Sequence, residues 1–253
     1  MLLKDMKKLL FFGILAMMCH NLYAQSTAQM GDSAYRMGNY PEAISLYESV
    51  LSTGLTSPDL YYNLGNAYYR DDQIGRAILN YHRALRLHPA MHDARENLAI
   101  AESHTADRIS QLPQLFIIRW VNALTDKVSP STWRLVLVII FILLAAAVVM
   151  FLIGRTIQVR KTALISIIVT AILWLLVLAL AISSSRHFNA HSEAVVLDAA
   201  ITVKGSPEWQ SADKLLLHEG TTVTIIDTLS GWYKIRIADG TTGWCENQSI
   251  ERI

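Results

Sequence analysis

The chain has 253 residues, 52% of them hydrophobic, and a formal net charge of +1. That balance excludes a single soluble domain and fits a small membrane protein. With charge near zero and no basic stripe interleaved with aromatics, nucleic acid is not an expected partner.

Residues 1–24 have the anatomy of a secretory signal peptide. Lys4, Lys7 and Lys8 give a positive start, and Leu9 to Met18 is an apolar stretch too short to span a bilayer comfortably. Leu22-Tyr23-Ala24 then offers a cleavage site before Gln25. Lipidation at Cys19 and an uncleaved anchor are the alternatives; Met18 is large where lipidation wants a small residue before the cysteine. Cleavage leaves Cys245 as the lone thiol, with no internal disulfide. Its plain reading is a small half-buried hydrophobe, and a redox role is the minor one.

Residues 24–91 contain an internal repeat of 34 residues. Gly31 recurs as Gly65, Tyr35 as Tyr69, Arg36 as Arg70, Ala43 as Ala77, Ile44 as Ile78 and Tyr47 as Tyr81. Small Gly65 and Ala77 let two helices approach closely, while Leu64, Tyr68, Tyr81 and Ala84 fill the seam. Pro89 stops the second helix, because it has no N–H to donate. These residues, with Tyr61 at the large aromatic position, resemble the tetratricopeptide (TPR) family, whose period this is. The first copy departs at Thr27, Val50 and Leu55. A capping helix is expected at roughly 92–109, giving a TPR domain over 25–112. Such arrays want about three repeats. The shortage points to a partner, or to docking on another part of the same assembly.

Residues 113–134 read as an interfacial helix and linker. Pro113 opens the helix, Trp120 anchors it at the membrane surface, and Ser129-Pro130 forms an N-cap and first position for the next element. Trp133 suits headgroup depth. Residues 135–153 and 163–182 are uncharged apolar runs, each long enough as a helix to cross a bilayer. They predict transmembrane helices 1 and 2. The link at 154–162 carries Arg155, Arg160 and Lys161 and no acid, which makes it the cytoplasmic loop. Both flanks then face outward, in agreement with the signal at the N-terminus.

Residues 190–253 switch to period two. Five short strands are expected, punctuated by Gly220, Ser230-Gly231 and Asp239-Gly240. Gly231-Trp232-Tyr233, the Asp239-Gly240 turn and Gly243-Trp244 resemble the bacterial SH3 family. The fold class expected is therefore a multidomain α plus β membrane protein: an α-helical TPR array, a transmembrane helical hairpin and a small SH3-like β-barrel.

The order of these parts resembles the BatE-type family of the Bat aerotolerance group, over essentially the full chain. The resemblance implies a place in an envelope complex with membrane proteins bearing von Willebrand A domains. It carries no defined chemistry.

The residues themselves show no catalytic constellation, so no enzyme, metal or cofactor is expected. His187/His191 and His88/His92 stand four apart but lack an evident third ligand. Neither span carries an ionisable residue, which argues against a proton or transport path. What remains is binding. The TPR resemblance assigns the groove to Asp32, Tyr35, Arg36, Tyr62, Asn66, Tyr69 and Arg70. There, paired arginines and tyrosines would meet a peptide of a membrane or periplasmic protein. The alternative is that the tyrosines only seal the helix pairs and the arginines are solvated. In the barrel, Trp209, Trp232 and Tyr233 are ligand-binding candidates, with core packing as the alternative, strongest for Trp244. Two functions from different classes follow. One is a scaffold in the bacterial inner (cytoplasmic) membrane, with the TPR and SH3-like domains on its periplasmic side. The other is an envelope protein that binds or senses peptidoglycan.

Overall fold

The computed structural model describes residues 25–109, 128, 130–189 and 192–253. The signal segment, the interfacial helix with Trp120, and Ser129 lie outside these.

Five helices open the fold: α1 at 25–36, α2 (Tyr40–Ser52), α3 (Pro58–Arg70), α4 (Ile74–Leu87) and α5 (His92–Ser103). The 34-residue period repeats in the contacts as well as in the letters. A Cβ on Gly31 would lie 2.7 Å from the Tyr47 ring, and one on Gly65 2.8 Å from the Tyr81 ring. Only a residue without a side chain lets those rings lie flat against the neighbouring helix. Tyr47 donates to Asp32 Oδ1 at 2.7 Å, and Tyr81 donates to Asn66 Oδ1 at 2.8 Å. The same two oxygens accept from the next helix, Asn63 Nδ2 at 3.2 Å and Asn97 Nδ2 at 2.8 Å. Asn97 stands one period after Asn63. Helix α5, expected as a cap, is therefore built as the first helix of a third repeat, and it ends at Ser103 rather than near Ile109. The turns repeat too. Gly38 and Asp72, one period apart, both take positive φ, 78° and 61°. Aspartate tolerates that region better than most residues.

Seven strands close the fold: β1 (Glu193–Val196), β2 (Ala200–Lys204), β3 (Asp213–His218), β4 (Thr222–Leu229), β5 (Trp232–Arg236), β6 (Thr242–Glu246) and β7 (Ile250–Arg252). Seven replace the five expected. The run Ala194–Val203 breaks at Leu197–Ala199 into two strands, and β3 was hidden because it is an edge strand with mostly outward side chains. The strands form one antiparallel sheet in the order β3-β2-β6-β5-β4-β1-β7. Inward residues from both edge strands, Leu217 and Ile250, join one core with Val196, Val203, Val223, Ile235 and Cys245. A single sheet whose opposite edges share a core is curled into a small barrel. Ser230-Gly231, both at positive φ, make the two-residue turn between β4 and β5.

The helical array and the barrel are one packed body. Strand β1 is buried on both faces: Ala194 and Val196 enter the barrel core, while Val195 enters the core of the array with Ile78, Leu79 and Leu98. Glu219 Oε1 accepts from the Gly75 N–H at 2.8 Å, at the start of α4, where a helix has unpaired donors. Gly220 sits at φ 84°, and a Cβ there would come within 2.7 Å of Thr105 and 2.9 Å of Ile78. Arg83 donates to Glu251 at 2.7 Å and to the Arg252 carbonyl at 2.9 Å, and Arg86 donates to the Ile253 carbonyl. The short array thus completes its packing against the chain's own barrel.

A separate unit holds two long helices, α6 (Pro130–Ile153) and α7 (Ile157–Asn189). They contain apolar stretches at Thr132–Ile153 and Ile157–Ser183, long enough to cross a membrane. Trp133, Ile140, Val177 and Ala181 pack between them, and most other apolar side chains face outward. Thr170 returns its hydroxyl to the Ser166 carbonyl at 2.6 Å, so that hydroxyl is satisfied within its own helix. The link is only residues 154–156, shorter than the expected 154–162. Arg160 and Lys161 ride on the first turns of α7, and Arg160 Nε donates to the Gly154 carbonyl at 2.9 Å, capping α6.

Candidate functional site

Two surfaces gather the residues singled out in the sequence. The first is a groove along α1, α3 and α5. Tyr35, Asn66, Tyr69 and Arg70 line one depression, of about 180 Å³, together with Tyr81, Asn97 and Ile100. Asp32, Tyr35, Arg36 and Asn66 line a second, of about 170 Å³, with Tyr47 and Asn63. Tyr35 and Asn66 belong to both, so the depressions form one continuous groove. Tyr62 is not part of either wall. Its ring packs 6.2 Å from that of Tyr81, and its hydroxyl accepts from Asn97.

The groove residues divide by what already holds them. Asp32 and Asn66 are brackets, each tying its own repeat to the next helix. Burial, first, and for Tyr47 the bond to Asp32 push both tyrosine hydroxyls above their ordinary range, so they stay protonated donors. Arg70 lies over the Tyr40 ring, 5.5 Å from its centre, and donates to its hydroxyl at 3.2 Å. That stack holds an exposed guanidinium in a defined place. Arg36 is exposed at the rim. Sequence reasoning missed Asn63 and Asn97, although their spacing of one period was a usable signal.

The second surface is on the barrel. Trp209 stands on the β2–β3 loop and is 69% exposed. The loop is tied by Gly205 N–H to the Ala212 carbonyl at 3.0 Å and by Ser206 N–H to Ser211 Oγ at 2.9 Å. The Trp209 ring meets that of Trp232 edge-on, with centres 5.3 Å apart. They border an open cavity of about 340 Å³ that also includes Asp198, Lys204, Asp213 and Glu246. Tyr233 is not part of it. It pairs opposite Cys245, packs on the barrel core and carries the Arg252 guanidinium 5.0 Å above its ring. Trp244, expected in the core, is half-buried with Lys234 over its face. Burial, with Glu246 adding to it, pushes the Cys245 thiol up to about 12, which leaves little thiolate for redox chemistry. Among the described residues the one compact group of metal-type ligands is His92, Asp93 and Glu96, all exposed.

Comparison with known families agrees with this division. Residues 31–72 match a family model described as TPR repeat, and residues 58–90 one described as tetratricopeptide repeat. Residues 216–251 match the bacterial SH3 domain. The array is a TPR array, and the barrel is a bacterial SH3 domain. No curated protein matches the chain. Both kinds of module typically bind rather than catalyse. TPR repeats imply protein partners, the SH3 domain suggests peptidoglycan, and the two apolar helices fit a membrane anchor.

Proposed function

We propose that this chain is a non-enzymatic, membrane-anchored scaffold of a bacterial envelope complex, of the BatE aerotolerance type. It binds protein partners through its TPR groove. The observation that carries this is the continuous groove in which Arg36 and Arg70 remain exposed beside Tyr35 and Tyr69. Partners of the BatE type would be membrane and periplasmic proteins, among them those with von Willebrand A domains. The proposed site is the inner membrane, crossed twice, with array and barrel in the periplasm. The basic hairpin turn and the signal-like start support that orientation. So does the packing of array on barrel, since both must then share one side.

The test is the double substitution Arg36→Ala with Arg70→Ala in the full chain, followed by recovery of partners from solubilised membranes. Hot-spot arginines typically cost tenfold or more each, so recovery should fall by about two orders of magnitude while the circular dichroism is unchanged. The control is Lys214→Ala with Arg236→Ala, which removes the same charge from the barrel. Arg83 and Arg86 do not serve as a control, because they hold β7. Full recovery with the groove variant removes the groove from consideration. A second reading, favoured by the Trp209–Trp232 cavity, is that the SH3 domain binds peptidoglycan.

A further inference from the structure

The Trp209 cavity has a chemistry of its own. An exposed tryptophan on a mobile loop would be unremarkable, but this loop is fixed at its base. Lys204 Nζ bonds to Asp213 at 2.8 Å and to the Ser211 carbonyl at 3.3 Å. The β2–β3 register shifts where the loop begins: Val203 pairs with Leu215 but Lys204 with Asp213, so Lys214 of β3 is passed over, as in a bulge. Trp232 supplies a second ring, 8% exposed, beneath the first. The exposed Trp209 indole is thus held in place against the buried Trp232 ring before any ligand arrives, which lowers the ordering cost of binding.

The charge around it is one-sided. Lys204 is neutralised by Asp213. Asp198, at the β1–β2 turn, and Glu246, cross-strand from Trp232, have no ion pair among the described residues. The cavity therefore offers two uncompensated carboxylates next to an exposed indole backed by a buried one. Indole attracts cations through its quadrupole, more strongly than tyrosine or phenylalanine. Carboxylates accept charge-assisted bonds from an ammonium group. A ligand without a cation forgoes both the cation–π and the charge-assisted contribution.

We infer that this cavity binds a primary ammonium group at the end of a peptide side chain, presented by the peptide part of the cell wall. This rests on the wall-binding reading of the SH3 domain and gives that reading a specific contact. Trp209, backed by Trp232, would pack on the ammonium and its methylenes, while Asp198 and Glu246 accept its hydrogens.

The experiment uses the full chain in detergent micelles. One arm sediments it with purified, protein-free sacculi, either native or with free amines acetylated. The other titrates it calorimetrically with a short Nα-acetylated peptide bearing one free lysine amine, and with its Nε-acetylated twin. Proteins compared are wild type, Trp209→Ala and Asp198→Asn with Glu246→Gln; Trp209 is exposed, so folding is expected to survive its loss. The inference expects acetylation of either ligand, and both variants, to weaken binding at least tenfold, and added salt to weaken it further. Wild type that sediments equally with native and acetylated sacculi keeps the wall reading and overturns the ammonium site. Wild type that ignores sacculi but prefers the free-amine peptide in a Trp209-dependent way keeps the site and overturns the wall as its source. No binding to sacculi and no preference between the two peptides overturns both.

Discussion

At the scale of single residues, Asp32 is the most informative. It was singled out as a groove residue, yet its Oδ1 is committed to Tyr47 and Asn63. Asn66 does the same work one period later with an amide oxygen. The charge of Asp32 is therefore not what the fold uses. Asp32→Asn should leave thermal stability nearly unchanged, while Asp32→Ala strands the buried Tyr47 hydroxyl and should cost about 1–3 kcal/mol. Equal melting temperatures for the two variants would show that the bracket is not holding the helices. His82 offers a test through pH. Burial pushes its imidazole from 6.5 down to about 4. As pH falls through that window the unfolded chain takes up a proton that the folded chain refuses, so stability falls with pH, by on the order of 3 kcal/mol at most. Glu102, whose carboxyl burial raises, lies 3.8 Å away and offsets part of this near the lower end. His82→Gln should flatten the decline between pH 7 and pH 4.5 in denaturant midpoints. A decline as steep as in wild type would assign the effect to other groups.

At the scale of elements, the helix seam was readable from Gly65, Ala77 and Tyr81 because small and large residues recur at one period. Gly65→Leu drives a side chain into the Tyr81 ring and should destabilise the full chain by about 1–3 kcal/mol, or more where the seam cannot relax. An unchanged unfolding midpoint would mean the seam does not pass through that position. The docking of the barrel was not readable, for physical reasons. Arg83 and Arg86 look like any solvated helix charges, and Glu219 like any turn acid, until a partner 144 residues away is known. The same holds for Trp209 and Trp232, whose meeting depends on sheet register. Only Ala194-Val195-Val196, apolar on both pleat faces, carried a trace of it. Gly75→Ala separates the two effects. Alanine favours the helix by about 1 kcal/mol. Yet its Cβ would stand 2.6 Å from Glu219 and 2.9 Å from the Val196 carbonyl. Amide exchange at residues 193–197 should therefore rise while the array itself holds. Unaltered exchange there would mean the contact is looser than the distances imply.

For the whole molecule, we propose that the basic hairpin turn sets sidedness. A cysteine introduced at Gln158 should resist an impermeant thiol reagent on intact spheroplasts, and one at Ser192 should react. The opposite pattern inverts both compartments. Asp107 adds a joint between the modules: it accepts from the His218 N–H and ring and from Thr221, each at 2.7 Å. Desolvation alone would raise its carboxyl, but these bonds outweigh it and hold the group below its ordinary value. Its contribution is therefore present above the ordinary carboxylate pKa and lost as pH falls through the lowered one. The burial of Val195 among the array's helices has a further consequence, in time rather than space. Residues 25–103 are synthesised well before β1, so the nascent array must wait with one apolar face uncovered while both spans are made. Closing so long a loop is entropically costly, on the order of 4 kcal/mol for a free chain, and an antiparallel pair of spans shortens the loop to be closed. The array is thus completed only after both apolar helices have been made, and a chain cut short before β1 is left with a sticky, unfinished array, open to proteolysis.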